Sequence, residues 1–261
     1  MKSNIIKILW YLKRPKYYGQ FFSKIFRKIN LIIFKNNENI AIKWCEQNSI
    51  TTEEAILQIT GKAINQPIRE LYPNIFLEAK KRADLCPLKM GGASNIDLLY
   101  YLSEYLKAEN VIETGVAYGW SALAILLSLS SRKNAKLIST DMPYPGLDNS
   151  EYVGCVIPDN LKEKWKLISE SDTYALPKAL DRFNHLDLCH YDSDKYYEGR
   201  MWAYPQLWEL LRCGGILISD DIENNLAFKD FSKSLGKTPL IVKLPNANKS
   251  YKFQYIGVLI K

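Results

Sequence analysis

From residue 110 onward, short β-branched and aliphatic runs alternate with helix-length stretches, and this alternation leaves few folds open. The runs are NVIETG (110–115), KLISTD (136–141), KWKLIS (164–169), LDLCHYD (186–192) and GGILISDD (214–221), with helices expected near 120–130, 159–164, 173–182 and 197–211. Continuous apolar strands separated by helices read as a parallel sheet covered on both faces. PLIVKLP (239–245) and FQYIGVLIK (253–261) follow with no helix between them, which predicts an antiparallel pair at one edge. The expectation is a doubly wound α/β fold with a mostly parallel seven-stranded sheet, an antiparallel last strand and an N-terminal helical extension.

In such sheets, ligands sit beyond the carboxyl ends of the strands. Glu113, Asp141, Asp192 and Asp220 all fall there. The stretch VIETGVAYGWSA (111–122) gives a strand, then Gly115 and Gly119, then a helix. Glycines at that point let the backbone turn sharply, and the helix start favours an anion. Tight strand–helix packing would explain the same pattern. The spacing is not G-x-G-x-x-G, which disfavours a nicotinamide dinucleotide. Asp141, at the next strand end, is placed to accept both hydroxyls of a ribose. Asp192 and Asp194 end one run, Asp220 and Asp221 the next, and four converging carboxylates would repel one another unless positive charge sat among them.

With 261 residues, 47% of them hydrophobic, the chain can bury a core for one large domain with an appendage. Three parts are expected: a basic amphipathic segment (1–36), a helical part (37–107) and the α/β part (108–261). The T-T-E-E of Thr51–Glu54 is a capping box within the helical part. The net charge of +7 points to nucleic acid only until it is located: nine basic residues and no acid fall in residues 1–35, leaving 26 basic against 28 acidic residues elsewhere. No nucleic-acid recognition motif accompanies the charge. Trp10, Tyr11, Phe21, Phe22, Phe26 and Leu31 interleave with these cations, and Pro15 and Gly19 should break the segment in two. An interfacial helix on anionic lipid fits this pattern, and so does a helix pair packed on the body or on a second subunit. Five scattered cysteines without a C-x-x-C pair argue for a reducing compartment, and lysines interrupt any signal-like core, so a cytoplasmic protein, peripheral at the inner membrane face on the lipid reading, is expected.

The stretch from about Met90 to Lys261 resembles class I S-adenosylmethionine-dependent methyltransferases with their Rossmann-like sheet. It is most similar to the metal-dependent O-methyltransferases of the catechol and caffeoyl-CoA type and relatives acting on antibiotic sugars. The resemblance rests on E-T-G-V-A-Y-G-W-S-A (113–122), D-S-D-K (192–195) and D-D-I (220–222). It implies that Glu113, Gly115 and Gly119 line the methionine part of the cofactor, that Ser121 meets its carboxylate and that Asp141 holds the ribose. It further implies that Ser171 and Asp172 contact adenine and that Met90 and Gly91 belong to a loop closing over the cofactor.

The same resemblance makes Asp192, Asp220 and Asp221 ligands of a divalent cation, Mg²⁺ by the hardness of its oxygen donors. It makes Asp194 or Lys195 the base that takes the acceptor's proton. An acid after a strand is also a common helix cap, so Asp194 or Asp221 alone would read as a cap. Asp221 stands where the catechol type has Asn, which weakens the case for a catechol substrate. His190 reads as a packed, hydrogen-bonded residue in preference to a catalytic one, and Tyr196, Tyr197, Trp202, Tyr204 and Trp208 as core or interface in preference to contacts with a sugar or an aromatic ring. The loop 142–158 is long enough for a substrate lid. The acceptor implied is a hydroxyl of a small molecule, sugar or glycan, such as a cell-envelope polysaccharide precursor. A same-fold enzyme performing hydroxylation and a non-catalytic membrane-associated binding subunit are the rival readings, and a homo-oligomer is compatible with all of them.

Overall fold

The computed structural model describes residues 2–19, 21, 37–147, 149–245 and 253–261. The second half of the basic segment, with Phe22, Phe26 and Leu31, lies outside the described residues. Among the described residues the helices are α1 (Lys2–Leu12), α2 (37–48), α3 (Thr52–Thr60), α4 (Ile68–Leu71), α5 (Pro73–Leu85), α6 (Ile96–Tyr105), α7 (Trp120–Leu129), α8 (Asp159–Lys162), α9 (Asp172–Leu180), α10 (Tyr197–Leu210) and α11 (Ala227–Ser234). The strands are β1 (Ser49–Ile50), β2 (Asn110–Thr114), β3 (Lys136–Thr140), β4 (Trp165–Ile168), β5 (Leu186–Tyr191), β6 (Leu211–Ser219), β7 (Leu240–Pro245) and β8 (Phe253–Ile260).

These strands form one sheet in the order β1-β7-β8-β6-β5-β2-β3-β4. The sheet thus has eight strands rather than the expected seven, because the two-residue β1 adds parallel to β7 through Ser49 and Ile50. The last two strands do pair antiparallel, but not as an edge hairpin: β8 inserts between β6 and β7 and runs against both. No pattern within residues 49–50 distinguishes them from a helix–helix link, so β1 is set by its neighbour and not by local preference.

Period-two alternation divides each strand's side chains between two cores. Val111, Leu137, Leu188 and Ile216 pack with α3, α5, α6 and α7 on one face. Ile112, Ile138, Cys189 and Leu217 pack with α9, α10 and α11 on the other. All ten residues of α7 are buried, since it lies between the sheet and α6. Thr51 starts α3 as expected: its Oγ1 accepts the Glu54 N–H at 3.2 Å and Glu54 Oε2 accepts the Thr51 N–H at 2.7 Å. No helix of the described residues is long and apolar enough to cross a membrane.

Chain order runs β2, β3, β4 to one side, then returns to place β5 on the other side of β2. That reversal opens a crevice between the carboxyl ends of β2 and β5.

Candidate active site

Gly115 and Asp192 meet at this crevice. Gly115 has φ +83°, and a Cβ there would stand 2.5 Å from the Asp192 carbonyl oxygen. Only glycine satisfies both demands. The cleft beyond has a volume of about 680 Å³. Of the residues singled out from sequence, Gly91, Gly115, Ser121, Asp141, Ser171, Asp172, Asp192, Asp194, Lys195, Asp220 and Asp221 line it, and so does Tyr196, which was expected in the core or an interface. Met90, Glu113 and Gly119 lie outside its lining. Met90 is buried, with its N–H on the Tyr118 hydroxyl at 3.2 Å. Gly119, at φ +93°, starts α7 so close to Gly154 that a Cβ would come within 2.9 Å of the latter's Cα.

One end of the cleft is built around Asp141. Its Oδ2 accepts the N–H groups of Ala117 (2.9 Å) and Val116 (3.2 Å). Burial raises its pKa to about 6 despite these two bonds. Ser193, unremarked in the sequence, ties this end to the next strand: its hydroxyl reaches Asp172 Oδ2 at 2.5 Å and Thr114 Oγ1 at 2.9 Å. From the loop after β3, Met142, Pro143, Tyr144 and Pro145 form a wall, and Leu244, Pro245 and Gln254 of β7 and β8 close the far side.

The other end gathers carboxylates around an ammonium group. Lys195 Nζ pairs with Asp192 Oδ1 and stands 2.9 Å from Asp221 Oδ2. Burial works against the charged lysine, but Asp192 and Asp221 together hold its pKa well above the usual range. Burial likewise pushes Asp192 up to about 6, against the pull of Lys195. The positive charge that the acidic pairs demand is therefore a lysine in this structure. Asp194 turns elsewhere: its Oδ1 accepts the Tyr196 N–H at 3.0 Å, the local bond by which an aspartate shapes a turn.

Beneath these groups, three ionisable side chains shut from solvent join the two ends. His190 places Nδ1 3.3 Å from Glu113 Oε1 and Nε2 3.4 Å from Asp220 Oδ1. Ser139 donates to Glu113 Oε2 at 2.8 Å. Burial alone would discharge the imidazole, but Asp220 and Glu113 override it and raise its pKa to about 10. Arg200 was not anticipated. Fully buried on α10, it donates at 2.9 Å to the carbonyls of both Asp220 and Asp221 and at 3.0 Å to the Tyr204 hydroxyl. This clamp holds Asp221 in a left-handed conformation, φ 53° and ψ 39°. No periodic signal marks an arginine that faces inward on an otherwise apolar helix face.

The donor set suits a hard divalent cation. Asp192, Asp220 and Asp221 share the cleft, and apart from the nearby His190 imidazole neither Asp220 oxygen, both buried, has a hydrogen-bond partner among the described residues. As placed, Lys195 stands between them, and among the described residues no group of three ligating side chains is gathered into a formed metal site.

The sheet order, the antiparallel β8 and the crevice at the β2–β5 reversal define the class I methyltransferase fold. Residues 112–222 match the family model Methyltransf_24, described as a methyltransferase domain. Among solved structures, an O-methyltransferase from Bacillus cereus in complex with SAH is similar in fold, with a TM-score of 0.53 at 13% identity, covering 83% of this chain and 100% of that one. The O-methyltransferase TomG from Streptomyces achromogenes, involved in tomaymycin synthesis and solved with SAM, gives 0.51 at 14% identity, covering 85% and 96%. A comparison with curated protein sequences finds no match.

Proposed function

We propose that this chain transfers the methyl group of S-adenosylmethionine to a hydroxyl oxygen of a diol-bearing acceptor, a small molecule or a sugar unit of a glycan. The observation that carries the reading is that one cleft joins a nucleoside-type end, Asp141 with the Ala117 and Val116 amides, to an acid–lysine end at Asp192, Asp220, Asp221 and Lys195. In this reading residues 108–261 form the catalytic domain. Asp141 holds the ribose, Ser171 and Asp172 flank the adenine, and Ser121 and Gly115 face the methionine portion. Glu113 acts from beneath, through His190, and not by contact.

The acceptor oxygen attacks the sulfonium methyl carbon along the C–S axis; a C–O bond forms, the C–S bond breaks, and the demethylated cofactor leaves with the sulfur's electron pair. Alignment along that axis supplies much of the acceleration. A divalent cation held by Asp192, Asp220 and Asp221 would supply positive charge that orients two acceptor oxygens and eases ionisation of one. Of the two candidates, Asp194 and Lys195, the lysine is the better base, because Asp194 is committed to the turn before α10. It serves once Asp192 and Asp221 are otherwise neutralised, since their charges are what keep it protonated.

The test is release of demethylated cofactor from the purified full chain with a panel of catechols and vicinal sugar diols, with Mg²⁺ and with chelator. Release that needs both acceptor and Mg²⁺ supports the reading. Tight cofactor binding by calorimetry with no release on any hydroxyl acceptor would overturn it, and release unaffected by chelation would remove the metal from it.

A further inference from the structure

Helix α1 buries Tyr11 and leaves its described aliphatic side chains outside. Tyr11 is buried, while Ile6 and Lys7, themselves exposed, border the loop after β3: a Cβ on Gly146 would stand 3.3 Å from Lys7 Cγ and 3.1 Å from Ile6 Cγ2. The 3₁₀ turn Pro15–Tyr17 that follows fixes the helix further, with Tyr17 buried and stacked on Trp10 at 5.1 Å. On the opposite side, at spacings of three and four, stand Ile8, Leu9 and Leu12, exposed by 44, 49 and 58%. A helix that serves only to cover a globular body shows the reverse pattern. One exposed leucine is ordinary; three aliphatic residues on one face of an 11-residue helix form a patch that asks for a cover.

Charge decides the cover. The segment 1–35 holds nine basic residues and no acid, while the rest of the chain is nearly balanced. A second copy of this chain docking about a twofold axis would set the same cations against themselves. An anionic surface answers both the aliphatic stripe and the charge. We propose that α1 is an interfacial docking helix for an anionic phospholipid surface. Ile8, Leu9 and Leu12 enter the boundary between headgroups and acyl chains, and Lys7 and Lys13 at the margins meet the lipid phosphates.

Because α1 rests on Gly146, next to the Pro143–Pro145 wall, docking sets the rim of the cleft at the headgroup layer. On the methyl-transfer reading above, this selects a hydroxyl acceptor carried on a lipid.

The experiment is sedimentation of the full chain with vesicles of phosphatidylcholine alone and with phosphatidylserine added, alongside thermal unfolding and light scattering. The chain is expected to pellet with the anionic vesicles only, and less at high salt. Leu9→Asp combined with Leu12→Asp should weaken partition by about tenfold or more, with an unchanged unfolding midpoint and unchanged cofactor binding. Failure of the unsubstituted chain to pellet with anionic vesicles overturns the proposal. So does equal pelleting by the double variant, or a variant that only converts a dimer to a monomer. The readout is independent of turnover, so an enzyme that binds vesicles yet methylates no hydroxyl would refute the proposed function and leave the docking helix standing.

Discussion

The imidazole of His190 stands 3.4 Å from the carboxylate of Asp220, with both side chains closed to solvent and with Glu113 on the ring's other nitrogen. One cation thus compensates two buried anions, one from beneath each end of the cleft. Replacing His190 with Phe leaves both carboxylates uncompensated, and the expected cost is about 3–5 kcal/mol, the range for removing one partner of a buried ion pair. Chemical denaturation of the variant against the parent measures it.

The same ring sets a pH signature. Its folded pKa of about 10 lies above the ordinary 6.5, so its stabilising contribution is complete below the latter and is lost as pH rises through the former. The unfolding midpoint should fall between neutral pH and pH about 10, and His190→Asn should remove that part of the slope. A parent whose midpoint is flat across this range contradicts a charged imidazole.

Asp141 titrates in the opposite sense for ligand binding. Burial raises its pKa to about 6, so below that value the carboxylate that would accept the ribose hydroxyls is neutral. Calorimetry should show cofactor affinity dropping as pH falls through this point. Asp141→Asn should weaken binding by about 1.5–3 kcal/mol, the worth of hydrogen bonds to a charged acceptor, and abolish the pH dependence.

Lys195 competes for the carboxylates that a divalent ion would use. In Lys195→Met, Mg²⁺ affinity is expected to rise while turnover drops by about 10²–10⁴, the range for loss of a general base. Titration calorimetry with Mg²⁺ and a turnover assay separate the two effects. Unaltered Mg²⁺ affinity would mean that ion and lysine do not share Asp192 and Asp221.

Gly115→Ala tests the close approach at the ends of β2 and β5. A Cβ would press on the Asp192 carbonyl from a backbone at φ +83°, and strain of this kind costs about 1–3 kcal/mol. Cofactor affinity and thermal stability should fall together; loss of turnover alone would place the effect elsewhere.

The sheet was legible because β2, β3, β5 and β6 are near-continuous apolar runs ending in Glu-Thr, Thr-Asp, Tyr-Asp or Ser-Asp, and period and punctuation survive in any context. Two-residue β1 was not, since its pairing is decided by β7 across most of the chain. The cleft's acids were legible by their place at strand ends. The roles of Glu113 and Lys195 were harder to read, because which oxygen meets which cation depends on side-chain direction at the carboxyl ends of β2 and β5. Glu113 turned to His190 beneath the cleft, and Lys195 turned back on its own strand end. Arg200 carries no sequence signal, as its hydrogen bonds go to carbonyls of a segment on another strand.

The placement of β8 has a consequence for how the molecule assembles. Strand β6, which carries Asp220 at its tip, borders β8 and not the next segment in the chain. Until residues 253–260 arrive, β6 is a raw margin with unpaired amides, prone to sticking to other chains. Closing that margin takes a long-range pairing of the kind that slows folding. Trimming that strand should yield aggregates sooner than a weakened enzyme.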